Sequence, residues 1–310
     1  MTLRLILFIV LTLSSFGPAV SEGTQRAEKL KVFVSILPVA YFVERVGGPH
    51  VDVSCMVAPG QDVHTFDPSP QTVAKLAKAR AYFTVGLPFE ETLQKKVRST
   101  FGGLEFVDTR KGITLRFMTE DEVDDHGHGH SHRHRHKDRH HRETGEPDPH
   151  VWLDPKLAKV QAATIAESLS RMDPDHANEY AANLRQFQSE LDELDRQLAD
   201  VLAPARGKPF YVYHPAWGYF ADAYGLKQIS VETGGKEPSA KHLAALIKEA
   251  KKDGVKLVFV QPQFSKKSAE ALGQAIGGAV VPLDDLARDY LTNMKEMAER
   301  IRTAIAEEKN

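Results

Sequence analysis

Short β-rich runs alternate with longer helical stretches along most of this chain, and this alternation restricts the possible folds most strongly. The β-rich runs are mostly continuous apolar segments, as expected for parallel strands that helices cover on both faces. The predicted strands are 31–36, 51–57, 81–85, 210–213, 228–231, 257–260 and 279–282. The predicted helices are 38–46, 70–79, 90–99, 155–172, 216–224, 239–252, 265–276 and 290–307. The sequence therefore predicts an α/β fold with mostly parallel sheets.

One apolar stripe between the two α/β halves has helical spacing over an unusual length, from Pro174 to about Ala203. Apolar residues recur there at steps of three and four: Tyr180, Leu184, Phe187, Leu191, Leu194, Leu198 and Leu202. Asp173 before Pro174 is a good N-cap, and proline suits the first helical position. About 30 residues at 1.5 Å each would make a rod of roughly 45 Å. An ordinary long core helix is one interpretation, but the position favours a helix that connects two halves.

Composition excludes several classes of protein. The chain has 310 residues, which suggests about two domains at roughly 100–200 residues each. Its 40 Lys and Arg residues against 42 Asp and Glu residues leave a net charge of −2, which provides no basic face for nucleic acid. The single cysteine, Cys55, cannot form an internal disulfide or a zinc site built from several thiolates. Histidine is the unusual residue, with 14 copies.

The first 21 residues have the pattern of a secretory signal peptide. Arg4 supplies a positive start, an apolar run follows, and Gly17 and Pro18 precede small residues near a plausible cleavage point. The apolar run is shorter than the ~20 residues that span a bilayer. We therefore expect an exported protein, which in a diderm bacterium is periplasmic.

Three histidines and one aspartate follow predicted strands or precede a predicted helix. His64 and His214 come after strands, His150 leads into the helix at Pro155, and Asp284 follows the last strand. Ligands bind at the carboxyl ends of strands in open α/β sheets, and imidazole and carboxylate groups suit zinc. Solvated or hydrogen-bonded loop histidines are the alternative interpretation. We interpret three further histidines, His50, His176 and His242, as loop or helix-surface residues that bind no metal.

Three motifs make the chain resemble the metal-binding solute-binding proteins of ABC importers. They are Ala-Pro-Gly-x-x-x-His-x-Phe-x-Pro-Ser-Pro at 58–70, Asp-Pro-His-Val-Trp-Leu-Asp-Pro at 148–155 and Tyr-His-Pro-Ala-Trp-Gly-Tyr-Phe at 213–220. The resemblance implies two lobes, each a mostly parallel sheet flanked by helices, joined by one long helix, with the metal in the cleft between them. It also implies His64, His150, His214 and Asp284 as metal ligands. Some zinc-binding members have Glu before the first histidine, where this chain has Val63, which leaves Asp284 or water as the fourth ligand.

The resemblance also implies a function. We predict that the chain captures Zn²⁺ in the periplasm and delivers it to an ABC-type membrane permease, and that it is a monomer. Retention of His214 favours zinc, because the manganese-binding branch commonly has a carboxylate at one of the later histidines. The alternatives are a manganese- or iron-binding protein of the same kind, or a metal-binding surface adhesin with this fold. An enzyme is disfavoured, since the sequence has no His-Glu-x-x-His or Walker motif.

A histidine-rich insertion at about 120–147 lacks apolar periodicity. Its eight histidines could provide weak accessory metal sites: His126, His128, His130, His132, His134, His136, His140 and His141. A tolerated low-complexity insertion with incidental metal affinity is the alternative. The predicted organisation is thus a signal peptide at 1–21, an N-terminal lobe at 22–172 that carries the insertion, a connecting helix at 173–204 and a C-terminal lobe at 205–310.

Overall fold

The fold is described by a computed structural model that covers residues 28–98, 100–118 and 147–307. The predicted signal peptide and all eight histidines of the predicted insertion lie outside these residues. In the described parts the chain forms two four-stranded sheets and nine α-helices. In chain order these elements are β1 (Leu30–Val34), α1 (Leu37–Gly47), β2 (Val51–Cys55), α2 (Pro70–Leu76), β3 (Ala81–Thr84), α3 (Pro88–Arg98), β4 (Glu105–Asp108), α4 (Pro155–Met172), α5 (Ala177–Leu202), β5 (Pro209–Val212), α6 (Gly218–Tyr224), β6 (Lys227–Ser230), α7 (Ala240–Asp253), β7 (Leu257–Val260), α8 (Lys267–Ile276), β8 (Ala279–Pro282) and α9 (Tyr290–Glu307).

The two sheets have the same topology, and all their strand pairs are parallel. The strand order is β2-β1-β3-β4 in the first sheet and β6-β5-β7-β8 in the second. In each sheet the strand order reverses beside the first strand, so the loops at its carboxyl end diverge and leave a crevice. The prediction of two α/β lobes with parallel sheets is therefore confirmed.

The connecting helix is α5, and it packs against α1, α4 and α9. The predicted apolar stripe faces this packing: Tyr180, Phe187, Leu191, Leu194, Leu198 and Leu202 are buried, whereas Leu184 is half-buried. The 26 residues of α5 make a rod of about 39 Å at 1.5 Å per residue. The prediction of one long helix between the lobes is confirmed.

This helix begins three residues later than its sequence predicts. Residues Pro174–His176 form a separate 3₁₀ turn, and the carboxylate of Asp173 does not cap the helix. Instead it accepts hydrogen bonds from the His176 ring, at 2.8 Å, and from the Tyr180 hydroxyl, at 2.6 Å. Both of these hydrogen bonds go to Oδ2, and the Asp173 side chain accepts none from the backbone N–H groups of the next turn.

Strand β4 is absent from the sequence prediction. It has only four residues, lies at the edge of its sheet and buries only Val107 fully, so it shows no continuous apolar run. No helix within residues 28–98, 100–118 and 147–307 has the length and apolar character needed to cross a membrane.

Candidate metal centre

Three histidines from distant parts of the chain meet between the lobes. His64 lies in the loop between β2 and α2, His150 directly precedes the turn that leads into α4, and His214 follows β5 by two residues. One ring nitrogen of each lies within 4.8 Å of those of the other two. The structure therefore brings together the three histidines that the sequence singles out.

The spacing of the rings suits a tetrahedral ion. The Nε2 atoms of His150 and His214 are 3.4 Å apart. Two nitrogens bound to one zinc ion at 2.0–2.1 Å with tetrahedral angles are also separated by about 3.4 Å. The ring of His64 lies 4.6 Å from that of His214 and 5.5 Å from that of His150, measured between centroids. A single ion can therefore contact all three rings after small adjustments.

A carboxylate orients the ring of His150. Nδ1 of His150 lies 2.7 Å from Oδ1 of Asp148, and Oδ2 of Asp148 accepts a hydrogen bond of 2.9 Å from Arg116. Asp148 and His150 are both fully buried. With its proton held on Nδ1 by the carboxylate, His150 presents the lone pair of Nε2 to the centre of the site.

The second lobe provides part of this support. The Tyr219 hydroxyl in α6 accepts a hydrogen bond from the backbone N–H of Arg116, at 2.8 Å, and donates one to the backbone oxygen of Asp148, at 3.1 Å. The Arg116 guanidinium also lies 3.3 Å from Asp222 of the same helix. The orientation of His150 therefore depends on contacts with α6.

A second carboxylate orients His214 in the same way. Nδ1 of His214 lies 2.5 Å from Oε1 of Glu232, and both side chains are almost completely buried. The backbone around His214 is held by Gln261, whose amide donates to the His214 carbonyl at 3.2 Å. His214 also presents Nε2 to the site, and the negative charge of Glu232 makes this nitrogen a better ligand.

His64 differs from the other two histidines because no described carboxylate is hydrogen-bonded to its ring, although Asp62 and Asp148 interact with it electrostatically. Its Nε2 atom is buried and forms no hydrogen bond in the described structure. The loop is held instead through Asp62, whose carboxylate accepts hydrogen bonds from the His64 backbone N–H and the Thr65 hydroxyl, both at 2.9 Å. A buried nitrogen without a partner is costly, and a bound cation would remove this cost.

Burial keeps the imidazoles of His64 and His214 uncharged. Burial, together with the neighbouring rings of His214 and His150, lowers the pKa of His64 well below its ordinary value. Burial and the charge that His150 could carry lower the pKa of His214 to about 3. Burial tends to raise the pKa of Asp148, but the hydrogen bond from His150 and the charge of Arg116 hold it below its ordinary value. The site thus offers the neutral imidazoles of His64 and His214 beside the ionised carboxylate of Asp148, and neutral imidazole is the form that binds a metal ion.

Aromatic side chains enclose the site. The ring of Trp152 lies 5.2 Å from that of His150, and the ring of Phe264 lies 4.9 Å from that of His214. Trp217, three residues after His214, is fully buried. His150 and His214 are buried, whereas His64 is half-buried. An ion would therefore enter the site from the side of His64.

The aspartate that the sequence singles out lies outside the histidine group. The Asp284 carboxylate accepts a hydrogen bond of 2.8 Å from the backbone N–H of Leu286 in its own loop. Its neighbour Asp285 is the buried one; Gln263 donates a hydrogen bond to its carboxylate at 3.0 Å, and its backbone oxygen accepts one from Trp152. Burial raises the pKa of Asp285 to about 6, against the opposing effect of His150. Asp284 is thus not part of the group of potential ligand atoms that the three histidines form, whereas Asp285 interacts electrostatically with His150.

The residues that support the ligands, Asp148 and Glu232, are not predicted by the sequence patterns. Asp148 stands two residues before His150, and Glu232 stands beyond β6, the strand next to the one that precedes His214. The signal for Asp148 was its place within the motif. Glu232 follows the next strand of the same sheet, and the carboxyl ends of adjacent parallel strands lie together.

Most of the chain matches a known protein family. Residues 32–304 match the family model of the zinc-uptake complex component A, periplasmic (ZnuA). The chain belongs to the ZnuA family. Its members include the solute-binding components whose motifs the sequence resembles, so the recognition of the family from sequence is confirmed.

Individual members of the ZnuA family agree with the assignment. The high-affinity zinc uptake system protein ZnuA of Bacillus subtilis is 31% identical over 277 residues, which cover 88% of this chain and 82% of that protein. The zinc-binding protein AdcA of Streptococcus pyogenes serotype M3 is 31% identical over 301 residues, covering 88% of this chain and 56% of AdcA, so the chain spans little more than half of that relative. A crystal structure of ZnuA superimposes with a TM-score of 0.80 at 38% identity, covering 90% of this chain and 100% of the other.

Proposed function

We propose that this chain captures Zn²⁺ with His64, His150 and His214 and delivers it to an ABC-type membrane permease. The observation that carries the proposal is the convergence of three imidazoles, with two Nε2 atoms 3.4 Å apart and two Nδ1 atoms held by buried carboxylates. The names of the relatives, a high-affinity zinc uptake protein and a zinc-binding protein, support the same cargo.

The chemistry of the ligands favours zinc over manganese. Neutral imidazole is a good ligand for zinc, whereas manganese favours sites rich in carboxylate and water oxygen. Among the described residues, the group of potential ligand atoms that lie within 4.8 Å of one another in the cleft contains three histidines and no carboxylate. A three-histidine site completed by one further ligand gives the four-coordinate geometry that zinc prefers.

For the fourth ligand we propose water or the carboxylate of Asp285, in place of Asp284. Asp285 interacts electrostatically with His150, whereas the Asp284 carboxylate is bound to the backbone of its own loop. Asp285→Asn should weaken zinc binding more than Asp284→Asn, as measured by competition with a chromogenic chelator. Equal effects of the two substitutions would remove the reason to prefer Asp285.

The remaining parts of the proposal concern regions and properties outside the described site. We propose that residues 1–21 direct export to the periplasm and that the exported chain is a monomer without enzymatic activity. Histidines between His126 and His141 would act as weak accessory sites that collect zinc. Deletion of residues 127–141 should then lower zinc stoichiometry and slow growth under zinc limitation, and no change in either would favour a tolerated insertion.

Direct titration tests the cleft site. Full-length mature chains with His64→Ala, His150→Ala or His214→Ala are compared with a His242→Ala control, and zinc affinity is measured by chelator competition. Each of the three cleft substitutions should weaken binding strongly, because two remaining imidazoles cannot complete the coordination of the ion. Undiminished affinity in all three would refute the assignment. Competition among Zn²⁺, Mn²⁺ and Fe²⁺ on the parent chain decides between zinc and the other metals.

A further inference from the structure

A second group of potential metal ligands lies at the start of the connecting helix and shares no residue with the cleft site. It consists of His50, His176 and Glu179, and one potential ligand atom of each lies within 4.8 Å of the other two. His50 ends the 3₁₀ turn after α1, whereas His176 and Glu179 stand at the beginning of α5. The group therefore joins two segments that are far apart in sequence.

The local backbone aims two of these side chains in one direction. His176 immediately precedes α5 and Glu179 is three residues further on, so both project from the same face of the first turn. The ring of His50 stacks on that of His176 with 3.7 Å between centroids and 23° between planes. Nε2 of His50 also lies 2.8 Å from Oε2 of Glu179. Two imidazoles and a carboxylate thus share one small volume.

The carboxylate of Asp173, which the hydroxyl of Tyr180 also binds, holds the His176 ring in one orientation, as the carboxylates in the cleft hold their histidines. Nδ1 of His176 lies 2.8 Å from the carboxylate of Asp173, which also accepts a hydrogen bond of 2.6 Å from the Tyr180 hydroxyl. With its proton on Nδ1, His176 has its Nε2 lone pair available, the arrangement that also holds His150 in the cleft. Asp173 and Glu179 together supply two negative charges that a divalent cation would neutralise.

We propose that His50, His176 and Glu179 bind a second divalent transition metal ion such as Zn²⁺. On binding, the His50 ring proton that is shared with Glu179 moves from Nε2 to Nδ1 by exchange with solvent, so no net proton is lost. Nε2 of His50 and Oε2 of Glu179 then become ligands. Imidazole nitrogen and carboxylate oxygen are a combination that zinc accepts. The sequence-based interpretation of His50 and His176 as residues that bind no metal is replaced by this proposal.

The cluster is exposed enough for an ion to reach it from solvent, and its side chains would have to move only a short distance to bind the ion. The side chains of His50 and His176 are 20% and 28% exposed, and that of Glu179 is 60% exposed. Ligands around one zinc ion are about 3.4 Å apart, so atoms now separated by up to 4.8 Å must move by roughly 1 Å. The exposed Glu179 side chain can make this movement. A bound ion would tie the turn after α1 to the first turn of α5.

Zinc stoichiometry tests the proposal on the full mature chain. All eight histidines between His126 and His141 are first replaced by serine, so that they cannot contribute, and zinc is titrated calorimetrically into the chelator-treated protein. This eight-serine variant, the background, should bind two equivalents of zinc. When His50→Ala and His176→Ala are both introduced into it, binding should fall to one equivalent. Glu193→Gln, an exposed acid further along the same helix, is the control and should leave two. One equivalent in the background that the double variant retains, or two equivalents in the double variant, would overturn the proposal.

The cleft is tested in the same background, so the two proposals can fail independently. His64→Ala with His214→Ala should remove the cleft equivalent and leave the one bound at His50 and His176. If the double substitution at the second site unfolds the chain, Glu179→Gln replaces it and should weaken the second equivalent at least tenfold. Crystals soaked in zinc provide a direct readout: an anomalous peak between the three side chains supports the site, and its absence overturns it.

Discussion

Replacement of Glu232 tests whether carboxylate support at the cleft tunes the metal ligands. Glu232→Gln keeps an oxygen that accepts the hydrogen bond from Nδ1 of His214 but removes the negative charge 2.5 Å from the ring. Glu232→Ala removes both. Loss of such a partner typically weakens metal binding 10- to 100-fold, which corresponds to about 1.4–2.7 kcal/mol. We therefore expect a loss near tenfold for Gln and near 100-fold for Ala.

The assay is competition for zinc against a chromogenic chelator at pH 7.5, with circular dichroism to verify folding. Glu270→Gln is a matched control because it removes the same charge from an exposed position in the same lobe. The order of the effects matters more than their size. If Glu232→Ala binds zinc within twofold of the parent while it remains folded, the carboxylate does not orient or polarise His214, and the reasoning about both supported histidines fails.

Three further predictions concern stability and packing. Phe187→Ala should lower the free energy of unfolding by about 3–5 kcal/mol in urea titrations, and Leu184→Ala by less than half as much, because Phe187 is fully buried whereas Leu184 is half-buried. Burial raises the pKa of Glu90 from 4.5 to about 7, so its contribution to stability is complete below pH 4.5 and is lost as pH rises through 7; the decrease, about 3 kcal/mol between pH 4.5 and 8, should be absent in Glu90→Gln. Gly218→Ala should weaken zinc binding about tenfold in chelator competition, because a Cβ there would meet Arg116 at 2.3 Å, whereas Gly273→Ala, with 3.5 Å to its nearest neighbour, should not.

The sequence predicts the architecture well because the relevant signals are local. Apolar runs mark the buried strands, and the stripe that includes Phe187 marks the helix between the lobes, since each depends on a periodicity within one segment. Strand β4 was not predicted because an edge strand of four residues needs no apolar run. The late start of α5 was not predicted because the Asp173 carboxylate binds the side chains of His176 and Tyr180 and not the backbone of the next turn. Sequence spacing alone does not reveal which of these partners it takes.

At the cleft, sequence motifs predict which histidines converge but not which acids accompany them. His64, His150 and His214 stand out by their positions at loops, whereas the choice between Asp284 and Asp285 depends on which side of the backbone each carboxylate faces. Adjacent residues in an irregular loop point in different directions, and their orientation is set by tertiary contacts such as the hydrogen bond from Gln263. The same limit applies to the stacking of His50 on His176.

The contacts of α6 with the first lobe have a mechanical consequence. Tyr219 and Asp222 hold Arg116, and Arg116 holds the carboxylate that orients His150. Separation of the lobes would therefore move ligands apart and also loosen the ring that remains behind. Affinity would fall at the first small displacement, well before a wide opening. Release of an ion from this cleft is thus coupled to a short movement of one lobe relative to the other. A membrane partner that binds α6 alone could drive this movement.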